Sequence, residues 1–189
     1  MYMSKTQPIR ENEKVVQLLN YLKKSKSARD YLIFLTGIST ALRISEILSM
    51  KYSDVFNSNG SYRKYASIIC KGDKVRDINL SNQLKKEMKK YCQANNIFGD
   101  EFIFKSQKKN RLSRNRAFVI LKDAAVNCGI ENFGTHSMRK TFARRVYLDS
   151  GHDLGLVMNL LDHNDPKFTL RYIGIIQEDV DKVTGAIEW

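Results

Sequence analysis

Apolar residues recur every three or four positions along most of the chain, which is the spacing of one face of an α-helix. On this pattern, helices are predicted over residues 12–24, 28–39, 81–94, 113–128, 153–161, 166–173 and 177–188, together with a helical turn that starts near Ser45 and a helix that carries His136 and runs to about Ser150. Ser81 is a candidate N-cap, and Asp165 followed by Pro166 supplies the N-cap and first position of a short helix. Tyr172 falls about two turns into that helix, and Gly174 ends it.

Two other stretches have the character of β-strands. Residues 65–70 are rich in apolar and β-branched side chains, and residues 75–80 alternate apolar with polar ones. The Gly72-Asp73 pair between them is typical of a tight hairpin turn. Residues 101–104 are predicted to form a further short strand. The expected fold is mainly α with a small antiparallel β-hairpin, in the α+β class, with residues 1–11 as a flexible tail and residues 12–189 as one domain.

Charge narrows the classes of partner. The 189-residue chain carries 32 Lys and Arg against 20 Asp and Glu, a formal net charge of +12 with a pI near 9.6. Such an excess favours a polyanion, and nucleic acid before an anionic membrane, because no basic amphipathic helix with an aromatic face is apparent. A basic protein without a nucleic-acid role is the alternative. Three scattered cysteines, no apolar run of membrane length and no signal sequence make the cytoplasm the expected setting.

Basic residues concentrate in two places. The segment 105–116 holds six of them and no acid, and this makes it a candidate for phosphate contacts: Lys105, Lys108, Lys109, Arg111, Arg114 and Arg116. The predicted hairpin carries Lys71, Lys74 and Arg76 at or near its tip. The alternatives are a solvated loop in the first case and lysines that protect an exposed sheet edge in the second.

The candidate reactive groups are spread along the chain. His136 and Arg139 are three residues apart and share one helix face, and Arg43 lies between two apolar segments, where it needs an anionic partner. No cluster of His, Cys or carboxylates has metal-ligand spacing, and no Gly-rich phosphate loop is present, so no metal or other cofactor is predicted. Two arginines can nevertheless grip a phosphodiester and favour its charged transition state, and a tyrosine beside cations can act as the nucleophile.

The order of these groups resembles that of the tyrosine recombinases, the phage-integrase family of site-specific DNA recombinases. The motifs that carry the resemblance are Ala41-Leu42-Arg43-Ile44-Ser45-Glu46, Cys70-Lys71-Gly72-Asp73-Lys74, His136-Ser137-Met138-Arg139, and Leu161-Asp162-His163 followed by Tyr172. The match extends over nearly the whole chain, from about residue 12 to residue 187.

The resemblance implies a role for each of these residues. Arg43 and Arg139 would clamp the scissile phosphate, and Tyr172 would attack it to form a 3′-phosphotyrosyl bond without metal or ATP. Lys71, in preference to Lys74, would protonate the 5′-hydroxyl leaving group. The remaining roles fall to His136, which would assist proton transfer, His163, which would hydrogen-bond the phosphate, and Glu46, which would brace the site.

Two departures from the family pattern matter. The residue before His163 is Asp162 where the family usually has glycine, and we expect its carboxylate to raise the pKa of His163. The usual N-terminal helical domain is missing, which fits either a catalytic domain or, somewhat better, a short recombinase like the fimbrial phase-variation invertases.

The resemblance also implies partners and alternatives. The partners would be double-stranded DNA and further copies of the chain, in a tetrameric synapse, with residues 176–189 docking on a neighbouring protomer or in cis. Two other functions remain open: a catalytically idle DNA-binding regulator of the same fold, and a type IB topoisomerase-like enzyme that relaxes DNA.

Overall fold

The computed structural model describes residues 6–25, 27–70, 72, 74–175, 181 and 184–186. In this part of the chain, the elements in order are α1 (Asn12–Lys24), α2 (Ala28–Ser39), α3 (Ile44–Ser49), α4 (Tyr52–Val55), β1 (Ala66–Ile69), β2 (Val75–Ile78), α5 (Asn82–Ala94), α6 (Arg114–Asn127), α7 (Thr135–Asp149), α8 (Leu154–Leu161) and α9 (Pro166–Tyr172). The predicted class, mainly α with a small antiparallel sheet, is confirmed. The predicted helix 177–188 lies largely outside the described residues.

Local sequence signals fix where several helices begin. The Ser81 hydroxyl accepts a hydrogen bond from the backbone N–H of Leu84, and the Asp165 carboxylate accepts one from Phe168 with Pro166 at the first helical position. These caps satisfy N–H groups that have no partner within the helix. The start of α9, which carries Tyr172, is therefore set by residues immediately before it.

Helix α2 is the centre of the main core. Every residue from Asp30 to Gly37 is buried, and α2 packs on α1, α5 and α7. The crossing with α7 is close at Gly37, where a Cβ atom would lie 2.6 Å from the sulfur of Met138. This close contact holds the end of α2, which leads to Arg43, against the helix that bears His136 and Arg139.

A second, smaller cluster attaches the C-terminal helices. Its buried members are Ala41, Ala143, Val157, Leu161 and Ile173. Side chains of α7 and α8 thereby pack with the segment that follows α9. This cluster brings the end of α9 to the surface of α7, although the two helices are separated by more than 15 residues of chain.

The hairpin pairs β1 with β2 in antiparallel register, with Ala66 opposite Ile78 and Ile69 opposite Val75. Ile69 and Val75 are both exposed. The strand predicted over residues 101–104 is wrong as a regular strand: Phe102 pairs with Lys51, and Lys105 with Arg111, only as isolated bridges. Each of these contacts extends over a single residue pair, so no ladder forms.

The described residues of the predicted flexible tail, 6–11, pack against the domain. The Ile9 side chain is in the main core, and the backbone N–H of Ile9 donates to the Thr141 hydroxyl at 2.8 Å. Ile9 is therefore docked on the domain although it lies in the segment predicted as a tail, because the polar residues around it in the sequence give no sign of burial. Within the described residues, no helix combines the length and apolar character that a membrane span needs.

Candidate active site

Arg43 occupies the N-cap position of α3, at the junction after α2. Its backbone N–H donates to Glu46 Oε2 at 2.6 Å, and its Nη1 donates to Glu46 Oε1 at 3.1 Å. Glu46 is buried, whereas the Arg43 side chain keeps 34% of its surface exposed. The anionic partner that the sequence required for Arg43 is therefore Glu46, which directs a partly open guanidinium.

Arg139 is the largest fully buried side chain among the described residues, with 2% of its surface exposed. Its Nη1 donates to the backbone carbonyl of Ala41, and its Nη2 donates to that of Leu161 at 2.8 Å. One side chain on α7 thus ties the segment before Arg43 to the end of α8. His136, three residues earlier on the same helix face, is exposed.

Tyr172, the last residue of α9, meets two other members of the predicted set. Its ring lies 5.1 Å from the His163 ring at an angle of 89°, and the Arg139 guanidinium is near enough to act electrostatically on its hydroxyl. The Thr169 hydroxyl donates to the Asp165 carbonyl at 2.8 Å and lies 3.3 Å from His163 Nδ1. Because that hydroxyl has one proton, Nδ1–H is the donor to Thr169, and Nε2 of the neutral ring is an acceptor.

Burial, and not the neighbouring cations, decides the direction in which the pKa of Tyr172 is shifted. Burial raises the pKa of Tyr172 above its usual value, and the nearby Arg139 and Arg43 oppose that rise without overcoming it. Desolvation disfavours the phenolate more than the two guanidinium groups favour it. In the absence of DNA, the hydroxyl is therefore protonated at neutral pH.

Both histidines of the site are neutral at pH 7. Although the His136 side chain keeps contact with solvent, desolvation by nearby protein atoms lowers its pKa, and Arg139, Lys140 and Arg43 lower it further. Burial also lowers the pKa of His163, with Arg139 and Arg43 acting in the same direction. As expected, the Asp162 carboxylate acts to raise the pKa of His163, but burial and the two arginines outweigh it, and the net shift is downward.

Asp162 takes a conformation that explains why glycine suits this position. Its φ and ψ angles are 56° and 49°, in the left-handed region that ends α8. Glycine adopts this region without steric cost, and aspartate is one of the few side chains that tolerate it. Asp162 also lies 3.8 Å from the Lys74 ammonium, so it connects the hairpin to the His163 turn.

The hairpin approaches the site through Arg76, whose Nη2 donates to the Leu160 carbonyl at 2.9 Å. Lys71, the predicted general acid, lies outside the described residues. Consecutive carbonyls at the end of α8, those of Leu160 and Leu161, are therefore bound by Arg76 and Arg139. The geometry places the base of the hairpin beside the catalytic candidates.

Within the described residues, the side-chain contacts of the basic segment 105–116 do not involve the predicted catalytic residues. Lys105 pairs with Glu101 at 2.5 Å, and Arg111 donates to the Ser49 hydroxyl at 2.7 Å, at the far end of α3 from Arg43. The other four are exposed: Lys108, Lys109, Arg114 and Arg116. They present positive charge to solvent, as a phosphate-contacting surface requires.

Sequence reasoning missed Lys140. This buried lysine donates to the Thr6 carbonyl at 2.7 Å, and its Nζ lies 5.0 Å from the centroid of the Tyr172 ring. Burial lowers its pKa. Its signal in the sequence is only its position directly after Arg139. As for metals, the described residues contain no group of three or more His, Cys, Asp or Glu side chains placed to hold an ion.

Comparisons with known proteins identify the family of this chain. The sequence model of the phage integrase family matches residues 9–178. A probable integrase/recombinase of Bacillus subtilis, YoeC, is 38% identical over 173 residues, which cover 91% of each chain. The tyrosine recombinase XerD of Rickettsia prowazekii is 30% identical over 151 residues, which cover 71% of this chain and 47% of XerD. The chain thus spans most of YoeC and about half of XerD.

Solved structures share the fold. The XerA recombinase superposes with a TM-score of 0.75 at 19% identity, covering 100% of this chain and 67% of XerA. The XerH site-specific recombinase, in its post-cleavage complex with a palindromic difH substrate, gives 0.76 at 23% identity, covering 97% of this chain and 52% of XerH. The arrangement of helices that brings Arg43, Arg139 and Tyr172 together is therefore an architecture shared with these proteins.

Proposed function

This chain belongs to the phage integrase family, and we propose that it is a site-specific DNA recombinase that cleaves and rejoins strands through Tyr172. One observation carries the proposal. The His163 ring lies perpendicular to the Tyr172 ring with 5.1 Å between their centroids, and the positive charge of Arg139 acts on the Tyr172 hydroxyl. A tyrosine, a guanidinium and an imidazole from three separate parts of the chain therefore lie in one site, where they can supply a nucleophile, a fixed positive charge and a proton-transferring group for phosphodiester transfer.

The two arginines act on the scissile phosphate. Arg43 is partly exposed and held by Glu46, so its remaining N–H donors are free to meet a phosphate oxygen. Arg139 contributes charge from below the surface, fixed by two backbone carbonyls. Fixed positive charge stabilises the additional negative charge of the pentacoordinate transition state, and this is the electrostatic work that a metal ion does in other nucleases.

Strand cleavage proceeds by transesterification. Tyr172 loses its proton, and its oxygen forms a bond to phosphorus while the bond from phosphorus to the 5′-oxygen breaks. Lys71 gives a proton to that oxygen, leaving a 3′-phosphotyrosyl bond and a free 5′-hydroxyl. One phosphoester bond replaces another, so the reverse reaction with a different 5′-hydroxyl rejoins the strands without ATP.

The histidines have different duties in this scheme. Neutral His136 accepts and returns the proton near Tyr172, and its lowered pKa supports that role. The Nδ1–H group of His163 donates to Thr169, and a neutral imidazole has only one N–H group. Nε2 can therefore donate to phosphate only when the ring is positively charged. A bound phosphate favours that charged form, because an adjacent anion raises the pKa of an imidazole.

The partners proposed for the chain are double-stranded DNA and further copies of itself. The exposed basic residues of segment 105–116 and the hairpin residues Lys74 and Arg76 would contact the phosphate backbone. The segment 176–189, largely outside the described residues, would dock between protomers of a tetrameric synapse. Lambda integrase, which shares the fold, forms a dimer bound to a core site in its crystal structure, and this supports assembly on DNA. The cytoplasm is the proposed location.

A trapping experiment that samples many DNA sequences at once tests the proposed function. The protein is incubated with a pool of nicked duplexes of randomised sequence, and covalent adducts are separated on a denaturing gel and sequenced. We expect an adduct with wild type, none with Tyr172→Phe, and residual adduct with His136→Gln. An adduct that persists in Tyr172→Phe would refute the assignment of the nucleophile.

The same experiment separates the alternative functions. A wild-type protein that binds DNA but forms no adduct would be a catalytically idle regulator. Recovered sequences are then built into supercoiled plasmids that carry two copies of the site. Recombinant products support a recombinase, whereas relaxation without exchange supports a topoisomerase-like enzyme.

A further inference from the structure

Residues 6–10, which we call the strap, run along α7 toward the end of α9. The backbone N–H of Gln7 donates to the Asn132 carbonyl at 3.1 Å, and that of Ile9 donates to the Thr141 hydroxyl at 2.8 Å. Ile9 is 8% exposed and belongs to the main core. The strap is thus fixed by both backbone and side-chain contacts.

Both ends of the strap meet groups that flank Tyr172. At one end, the Thr6 carbonyl accepts a hydrogen bond from Lys140, whose ammonium lies 5.0 Å from the Tyr172 ring centroid. At the other end, Arg10 Nη2 donates to the Gly174 carbonyl at 2.7 Å. Gly174 is two residues after Tyr172, so the strap contacts the surroundings of the nucleophile from two directions.

The fit at Gly174 is close. Its φ angle is 76°, and a Cβ atom there would lie 2.8 Å from Pro8 Cγ. Arg10, at 2.7 Å, and Arg144, at 3.4 Å, donate to the Gly174 carbonyl, which lies in the turn directly after α9. The strap therefore holds the turn that ends the helix that carries Tyr172.

We propose that the strap positions the nucleophile, with Arg10 and Lys140 as positioning residues that hold the end of α9 and the Tyr172 ring. This inference rests on the proposed function. Helix α9 has only seven residues, and helices of this length are not stable without tertiary contacts. The direction of its last side chain is therefore set by what holds its end, and a misplacement of about 1 Å at a reacting group costs up to about 100-fold in rate.

Arg10→Ala is the decisive variant, and Arg145→Ala is its matched control. Arg145 is an exposed arginine on α7 that pairs with Asp149, so its loss changes net charge equally without touching the strap. We expect single-turnover cleavage by Arg10→Ala to fall about tenfold at saturating DNA with unchanged affinity for DNA. Arg10→Lys is expected to recover most of the rate, because an ammonium also donates to a carbonyl.

Hydrogen exchange gives a readout that needs no DNA. The amides of Ile173, Gly174 and Ile175 are bonded to carbonyls within α9. In Arg10→Ala, we expect faster exchange at these amides and unchanged exchange in α2. Unchanged exchange together with an unchanged cleavage rate would overturn the proposal, as would a uniform rise across the domain.

The two proposals fail in distinguishable ways. If wild type forms no covalent adduct, the proposed function is contradicted, and the strap then has no nucleophile to position. If wild type forms the adduct and Arg10→Ala forms it at the wild-type rate, only the strap proposal fails.

Discussion

Glu46 holds Arg43 at two points, accepting from its backbone N–H at 2.6 Å and from its Nη1 at 3.1 Å. The same carboxylate thereby begins α3 and directs a guanidinium toward the proposed phosphate site. Because Glu46 is 4% exposed, its charge has little solvent to stabilise it once Arg43 is removed. The pair is expected to respond as a unit to mutation.

Glu46→Gln is expected to retain the fold and reduce cleavage, since the amide oxygen preserves one acceptor while the ionic attraction is lost. Glu46→Ala should reduce cleavage more, because neither contact remains. Single-turnover cleavage of a trapped substrate measures both. In the double variant Glu46→Ala with Arg43→Ala, the losses should not add, and additive losses would show that Glu46 acts independently of Arg43.

Arg139 is predicted to contribute both to the stability of the fold and to DNA cleavage, whereas Tyr172 is predicted to contribute to cleavage alone. Arg139→Ala leaves the Ala41 and Leu161 carbonyls without their donors, and we expect a loss of about 3 kcal/mol in the free energy of unfolding. It should also abolish the covalent adduct. Tyr172→Phe should abolish the adduct and keep wild-type stability to within about 1 kcal/mol. Urea denaturation compares the two, and equal stability would contradict the structural role of Arg139.

The depressed pKa values of His136 and His163 predict how stability depends on pH. Unfolded histidines take up protons near pH 6.5, whereas these two in the folded state do so only at lower pH. Stability is therefore complete above about pH 6.5 and is lost as pH falls toward the folded-state pKa. Urea denaturation at pH 7, 6 and 5 should show a shallower decline in His163→Gln than in wild type; parallel declines would refute the prediction.

Asp162 is predicted to have two separable effects: its carboxylate acts on the pKa of His163, and its left-handed backbone conformation affects stability. Asp162→Asn removes the carboxylate but retains a residue that tolerates the left-handed region, and Asp162→Gly removes the carboxylate and relaxes the backbone. Both should lower the pKa of His163 further, because the upward effect of Asp162 is lost. Only the glycine variant should gain stability, by less than about 1 kcal/mol. NMR titration of His163 measures the first effect, and a pKa unchanged in both variants would contradict it.

The α2–α7 crossing predicts that Gly37→Ala is destabilising. The added methyl group would meet Met138 within 3 Å, and we expect a cost of about 2 kcal/mol. Gly155→Ala is the matched control, because its nearest contact is a side-chain oxygen at 3.3 Å near the start of α8. That variant should be neutral or stabilise by up to about 1 kcal/mol. Thermal unfolding measures the change in midpoint temperature, and equal changes in both variants would refute the close-packing argument.

Local features were predicted well because they depend on neighbouring residues. Helices α1 and α2 have the bounds that apolar spacing indicated, and Ser81 and Asp165 cap their helices as expected. The hairpin followed from two strand-like stretches around Gly72. The short strand at residues 101–104 was overpredicted, since a strand needs a partner ladder and not only β-prone side chains.

The sequence by itself determined the mainly helical class, the bounds of helices such as α1 and α2, and the family motifs. Caps, periodicity and motif order depend on residues that are close together in the chain. Tertiary structure alone decided that Arg139 is buried between two carbonyls, that burial keeps Tyr172 protonated, and that residues 6–10 reach Lys140 and Gly174. Each of these depends on atoms more than 20 residues apart and on the water that their contact removes. Desolvation and long-range contacts exist only once the chain has folded, so they cannot be predicted from local sequence patterns.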